Sequence, residues 1–64
     1  MPASYTYIYC RVEAVESDSV LCQYEDQTVR IPRSLIDDER SDIDVGNVSP
    51  IYVERWYAQE QGWV

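Results

Sequence analysis

From Tyr5 to Val15 the side chains alternate with a period of two. Ile8, Cys10, Val12 and Ala14 fall on one side, and Tyr7, Tyr9, Arg11 and Glu13 on the other. Extended backbone sends successive side chains to opposite faces, so this run commits the chain to a β-sheet with one apolar face. Glu16-Ser17-Asp18 is polar and turn-like. Ser19 to Glu25 reads as a second strand, with Val20, Cys22 and Tyr24 set against Leu21, Gln23 and Glu25. Asp26-Gln27 reads as a tight turn, although Gln suits the left-handed position of such turns poorly. Thr28 to Ile31 supplies a third strand, with Val29 and Ile31 on one face.

Matching the apolar faces sets an expected register. A three-residue loop at 16–18 pairs Ala14 with Val20, Val12 with Cys22 and Cys10 with Tyr24; a turn at 26–27 pairs Tyr24 with Val29 and Cys22 with Ile31. Cys10 and Cys22 are then diagonal neighbours, about 7–8 Å apart. That is too far for an unstrained disulfide. Two buried thiols acting as small hydrophobes are expected. Two Cys without His also make a poor zinc site.

Pro32 ends the third strand, and Ser34 is placed to cap a short helical turn through Leu35 and Ile36. The acidic stretch that follows reads as a solvated loop contributing little to the fold. Gly46-Asn47 signals a turn. Val48 to Val53 reads as a fourth strand, with Pro50 marking an edge or an irregular start. Glu54 to Gln61 reads as a short helix closed by Gly62, with Trp63 folding back on its last turn. A helix this short needs tertiary support, so Trp56 and Trp63 are expected to dock it on the open face of the sheet. The expected fold is mainly β (small α+β): a twisted antiparallel sheet of three to four strands, or a partly open barrel, with one C-terminal helix. Residues 1–64 make a single domain near the lower size limit for folding alone.

Charge sets the function classes. Twelve Asp and Glu stand against five Arg, with no Lys and no His, for a net charge of -7. Such a field repels nucleic acid and anionic membranes and attracts basic protein surfaces. Asp37, Asp38, Glu39, Asp42 and Asp44 crowd one stretch, diluted only by Arg40. With no His as a base, no Lys for a Schiff base and no Gly-rich phosphate loop, the chain is not expected to be an enzyme or to use a cofactor. Asp42-Ile43-Asp44-Val45-Gly46 resembles a calcium loop but lacks the third acid and the distal Glu, so no metal site is expected. Tyr7 and Tyr9, with Tyr5, form a row on the polar face. That row is a protein-binding surface or a bridge to a second layer made by the C-terminus. An RNA-stacking role conflicts with the net charge. Arg11 and Arg30 are expected to pair across strands near Glu13, Gln23 and Glu25. No apolar run is long enough to cross a bilayer, and Met1-Pro2-Ala3-Ser4 lacks the character of a signal peptide.

Two segments carry a resemblance. Ile31-Pro32-Arg33-Ser34-Leu35-Ile36, and the stretch from Val53 to Trp63 containing Trp56-Tyr57-Ala58-Gln59-Glu60-Gln61-Gly62, resemble a group of small proteins common in phages and other mobile elements. That group has an Ile-Pro-Lys-Ser-like strand end and a Trp-x-Ala-x-x-x-Gly tail helix. Here Arg33 replaces the Lys, and Glu54 replaces the usual Pro before the helix. The resemblance implies a shape and a phage-like context, hence the cytoplasm of a bacterial host. In size, acidity and context the chain is similar to some anti-CRISPR proteins, by analogy and not by motif. The expected function is a DNA-mimicking, anti-CRISPR-type inhibitor, monomeric, that uses the acidic stretch to bind a basic nucleic-acid-binding protein or complex. The alternative is a phage accessory or assembly module acting through Tyr7 and Tyr9.

Overall fold

A computed structural model describes residues 4–64; Met1-Pro2-Ala3, part of the segment read as lacking a leader, lie outside the described residues. Strand β1 spans Tyr5–Val15, β2 Ser19–Tyr24, β3 Gln27–Pro32 and β4 Val48–Glu54, and helix α1 spans Arg55–Gln61. The four strands form one antiparallel, open sheet in the order β3-β2-β1-β4. The fold is mainly β, and the sheet stays open because β3 and β4 are its two edges.

The inner face carries the core. Ile8, Cys10, Val12, Val20, Cys22, Ile31, Ile51 and Val53 are buried there together with Ile36 and Ala58. Tyr24, Val29, Ile43, Tyr57 and Trp63 pack around them. From Tyr7 to Val12 the alternation of β1 emerges as a buried row and an exposed row; Ala14, expected on the apolar face, is not in the core.

The register corrects the expected one in two places. Val12 faces Cys22 as expected, but a bulge at Glu13 puts Ala14 opposite Leu21, not Val20. The β1–β2 pairing ends at Arg11–Gln23, one rung short of Cys10–Tyr24. In the second hairpin Tyr24 faces Gln27, Cys22 faces Val29 and Val20 faces Ile31. The turn is therefore Glu25-Asp26, with Glu25 in the left-handed region at φ 54. A shift of two residues leaves every side chain on its original face, so apolar matching could not detect it. Cys10 and Cys22 remain diagonal, and both are free, buried thiols.

After β3, a 3-10 turn spans Arg33–Leu35. Pro32, not Ser34, takes its cap position, and no side chain caps it. Ile36 is extended and bridges Val53 of β4. Residues 36–44 then form a strap, of which 36–42 run along the free edge of β4. The Asp37 N–H donates to the Tyr52 carbonyl (2.9 Å), and the Tyr52 N–H donates to Ser41 Oγ (2.9 Å). Ser49 Oγ donates to the Asp42 carbonyl (2.7 Å). The acidic stretch is therefore the edge cover of β4 and not a free loop. Unpaired edges invite foreign strands, and covering them is a standard defence. Pro50 shares the outward parity of Tyr52, so its missing N–H costs no bond to β1.

The helix begins at Arg55, with Glu54 still extended before it. Gly62 adopts φ 79, and the Gly62 and Trp63 amides return to the Gln59 (3.1 Å) and Ala58 (2.9 Å) carbonyls, closing the last turn. Ala58 is fully buried and lets the helix lie close on the sheet. Trp56, two residues earlier, stands about 200° around the helix and is 50% exposed. The expected docking by Trp56 is thus overturned, whereas Trp63 does fold back, packing on Tyr24 and Tyr57 with ring centroids 5.6 Å away in each case.

Candidate functional site

The Tyr row lies on the outer face of β1, opposite the helix. Tyr7 is 49% and Tyr9 61% exposed. Because α1 packs on the inner face through Ala58, the row does not bridge to the C-terminus. Tyr7 faces Tyr52 across the β1–β4 ladder, with centroids 5.5 Å apart, and meets the Tyr9 ring edge-on at 5.6 Å. The Arg40 guanidinium lies over the Tyr52 ring, 5.6 Å from its centroid, and pairs with Asp37 at 3.2 Å. The Tyr row and the acidic strap are therefore neighbours, joined through Tyr52, Arg40 and Asp37. Sequence patterning alone did not single out Tyr52 or Arg40. Tyr52 alternates with buried Ile51 and Val53, which places it on the outer face, but its contact with Tyr7 depends on the β1–β4 pairing.

The five acids of the stretch separate into two groups. Asp37 holds Arg40 and also accepts the Glu39 N–H at 3.1 Å, while Asp38 lies 3.6 Å from Arg33. Glu39, Asp42 and Asp44 are exposed and have no arginine partner among the described residues. A hydrogen bond with the Asp44 carboxyl, and its like charge, raise the pKa of Asp42 above the ordinary aspartate range. Gly46 at φ 91 sits in a turn closed by the Asn47 N–H to the Asp44 carbonyl (3.2 Å), and its own N–H donates to Val12 at 2.7 Å. These bonds anchor the Asp42–Asp44 end of the strap to β1.

The arginines differ from the cross-strand expectation. Arg30 pairs with Glu16, on the loop between β1 and β2, and donates to Ser19 Oγ (3.2 Å) at the start of β2. Arg11 has no carboxylate partner among the described residues. The Cys10 thiol is held protonated by its hydrogen bond with Cys22 and by burial. Among the described residues there is no cluster of three or more metal-ligating side chains, no surface cavity, and no helix long and apolar enough to cross a membrane. No family model, curated protein or solved structure matches this chain.

Proposed function

We propose that this chain is a non-catalytic, acidic protein-binding inhibitor: a DNA mimic of anti-CRISPR type that occupies the nucleic-acid-binding surface of a basic protein or effector complex. One observation carries the reading. Nine of the twelve carboxylates have no arginine partner among the described residues, and three of them, Glu39, Asp42 and Asp44, project from one strap anchored to the edge of the sheet. Carboxylates on a tied backbone can take the Lys and Arg sites that grip phosphates, with little ordering cost on binding. The strap's own Arg40, stacked on Tyr52 and paired with Asp37, is an internal example of how an arginine is received at this surface. The mechanism involves no cofactor and no direct contact with nucleic acid or membrane. A second reading, an assembly module acting through the Tyr face, is favoured by the exposure of Tyr7 and Tyr9.

The test is capture by the immobilised chain from a bacterial lysate, followed by challenge with salt and with double-stranded DNA. The mimic should retain a nucleic-acid-binding protein at low salt and release it at moderate salt. Double-stranded DNA should displace that protein. Retention indifferent to both salt and DNA rejects the mimic.

A further inference from the structure

We infer that the outer face of the β1–β4 half of the sheet pairs with the same face of a second copy of this chain, about a two-fold axis. The inference rests on the Tyr-face reading and is independent of the strap's binding of a basic protein. Exposure alone would not carry it, because an antiparallel sheet can face water on one side. The arrangement of residues along the face does.

Four rungs run along the face: Tyr5–Glu54, Tyr7–Tyr52, Tyr9–Pro50 and Arg11–Val48. Its middle is aromatic and apolar, and Val48 at the far end is 62% exposed. Its end rungs are oppositely charged, with Glu54, whose carboxylate also accepts the Trp56 Nε1–H at 2.9 Å, at one and Arg11 at the other; the exposed Glu13 lies beyond the last rung. A half-turn about an axis crossing the strands midway between Tyr7 and Tyr9 makes this pattern self-complementary. Tyr7 then meets the partner subunit's Tyr9, and Arg11 meets the rung formed by the partner subunit's Tyr5 and the partner subunit's Glu54. Each contact occurs twice, as a two-fold interface requires. The setting offered to Arg11, a tyrosine ring beside a carboxylate, is the one that already holds Arg40 over Tyr52 and against Asp37.

The net charge of -7 on each copy opposes pairing. That repulsion acts over distance and is screened beyond about 8 Å at physiological salt. The strip is two strands wide and about 20 Å long. That is less than the roughly 800 Å² per partner of a standard stable interface. The dimer is therefore weak and concentration-dependent, and it does not weaken from low to moderate salt, unlike capture by the strap.

Sedimentation equilibrium of the whole chain, from micromolar to millimolar concentration at moderate salt, tests this. The weight-average mass should climb from 7.5 kDa towards twice that value. Tyr7→Ser with Tyr9→Ser should hold it at the monomer value, with an unchanged circular dichroism spectrum. Arg11→Glu should weaken the dimer by roughly tenfold, as for loss of about 1.4 kcal/mol, and adding Glu54→Arg should recover it. The strap variant Glu39→Gln/Asp42→Asn/Asp44→Asn should dimerise at least as well as the parent. A mass fixed at 7.5 kDa at every concentration overturns the inference. So does a dimer that persists in the double Tyr variant, or a charge swap that recovers nothing.

Discussion

The two faces of this sheet are made by the same strands, yet only one of them is covered. On the inner face, alternate residues of β1 and β4 meet the helix, and Ile8, Ile51, Val53 and Ala58 are buried. On the outer face the intervening residues Tyr7, Tyr9, Pro50 and Tyr52 meet no second layer among the described residues beyond Arg40, which lies over the Tyr52 ring. Stability should therefore track the inner face, and recognition should track the outer face and the strap beside it. In a domain this small a single buried side chain is a large share of the total stability.

The sharpest way to break this contrast uses neighbouring strands. Ile51→Ala should cost about 2–5 kcal/mol, the usual range for a fully buried aliphatic side chain. Tyr9→Ala, from the adjacent strand and the other face, should stay within about 0.5 kcal/mol. Urea denaturation of both variants at low protein concentration compares them. Equal losses would mean that the outer face is part of the stabilising core.

The helix offers the next comparison. Trp63→Ala removes a half-buried ring from between Tyr24 and Tyr57 and should cost about 2 kcal/mol, below the full core value. Trp56→Ala loses an exposed ring, its Nε1–H bond to Glu54 (2.9 Å) and an edge contact with Tyr57, and should cost under about 1 kcal/mol. Thermal melts in which Trp56→Ala fell further than Trp63→Ala would reverse the orientation of the helix.

A smaller effect probes the strap. Ser41→Ala leaves the Tyr52 N–H without its acceptor and should cost about 1 kcal/mol. Amide exchange at Tyr52 should quicken while Ile8 and Ile51 stay protected. Unchanged exchange at Tyr52 would mean that the strap does not guard the β4 edge.

These contrasts also show what the sequence could and could not disclose. The extent of β1 is legible, because the alternation from Tyr7 to Val12 leaves no competing period, but the bulge at Glu13 that takes Ala14 out of the core has no signal in the sequence. The diagonal, free cysteines followed from it. The β2–β3 register was not legible: faces survive a two-residue slip, and the deciding feature, Glu25 at φ 54, is a residue type that gives no turn signal. The helix face does not follow side-chain size: Trp56 is large yet exposed, and close approach to the sheet is set by the smallness of Ala58. The strap's structural part is hidden because it is made by the Asp37, Asp42 and Tyr52 backbones and two serine hydroxyls, Ser41 and Ser49. Its acidity was plain, but the division between arginine-bound Asp37 and Asp38 and exposed Glu39, Asp42 and Asp44 depends on contacts that spacing does not fix.

The smallest expected effect concerns the proton held near Asp42. Its raised pKa means that acid relieves the repulsion from Asp44: the stabilising contribution of protonation is full below the unfolded value and is lost as pH rises through the folded one. Towards acid, the strap should lose charge, and grip on a basic partner, sooner than isolated aspartates would. Carboxyl-detected NMR titration should place Asp42 above the ordinary aspartate range, and Asp44→Asn should bring it down. An Asp42 indifferent to Asp44→Asn would show that the two carboxyls do not interact.

Binding by matched variants of the two surfaces tests the central claim most directly. Glu39→Gln/Asp42→Asn/Asp44→Asn and Tyr7→Ala/Tyr9→Ala are each immobilised and offered the protein that the parent chain captures and double-stranded DNA displaces. The account predicts that the strap variant loses that protein, while the Tyr variant retains it and loses only self-pairing. Normal capture by the strap variant, with capture abolished in the Tyr variant, would contradict the account and leave the Tyr face as the recognition surface.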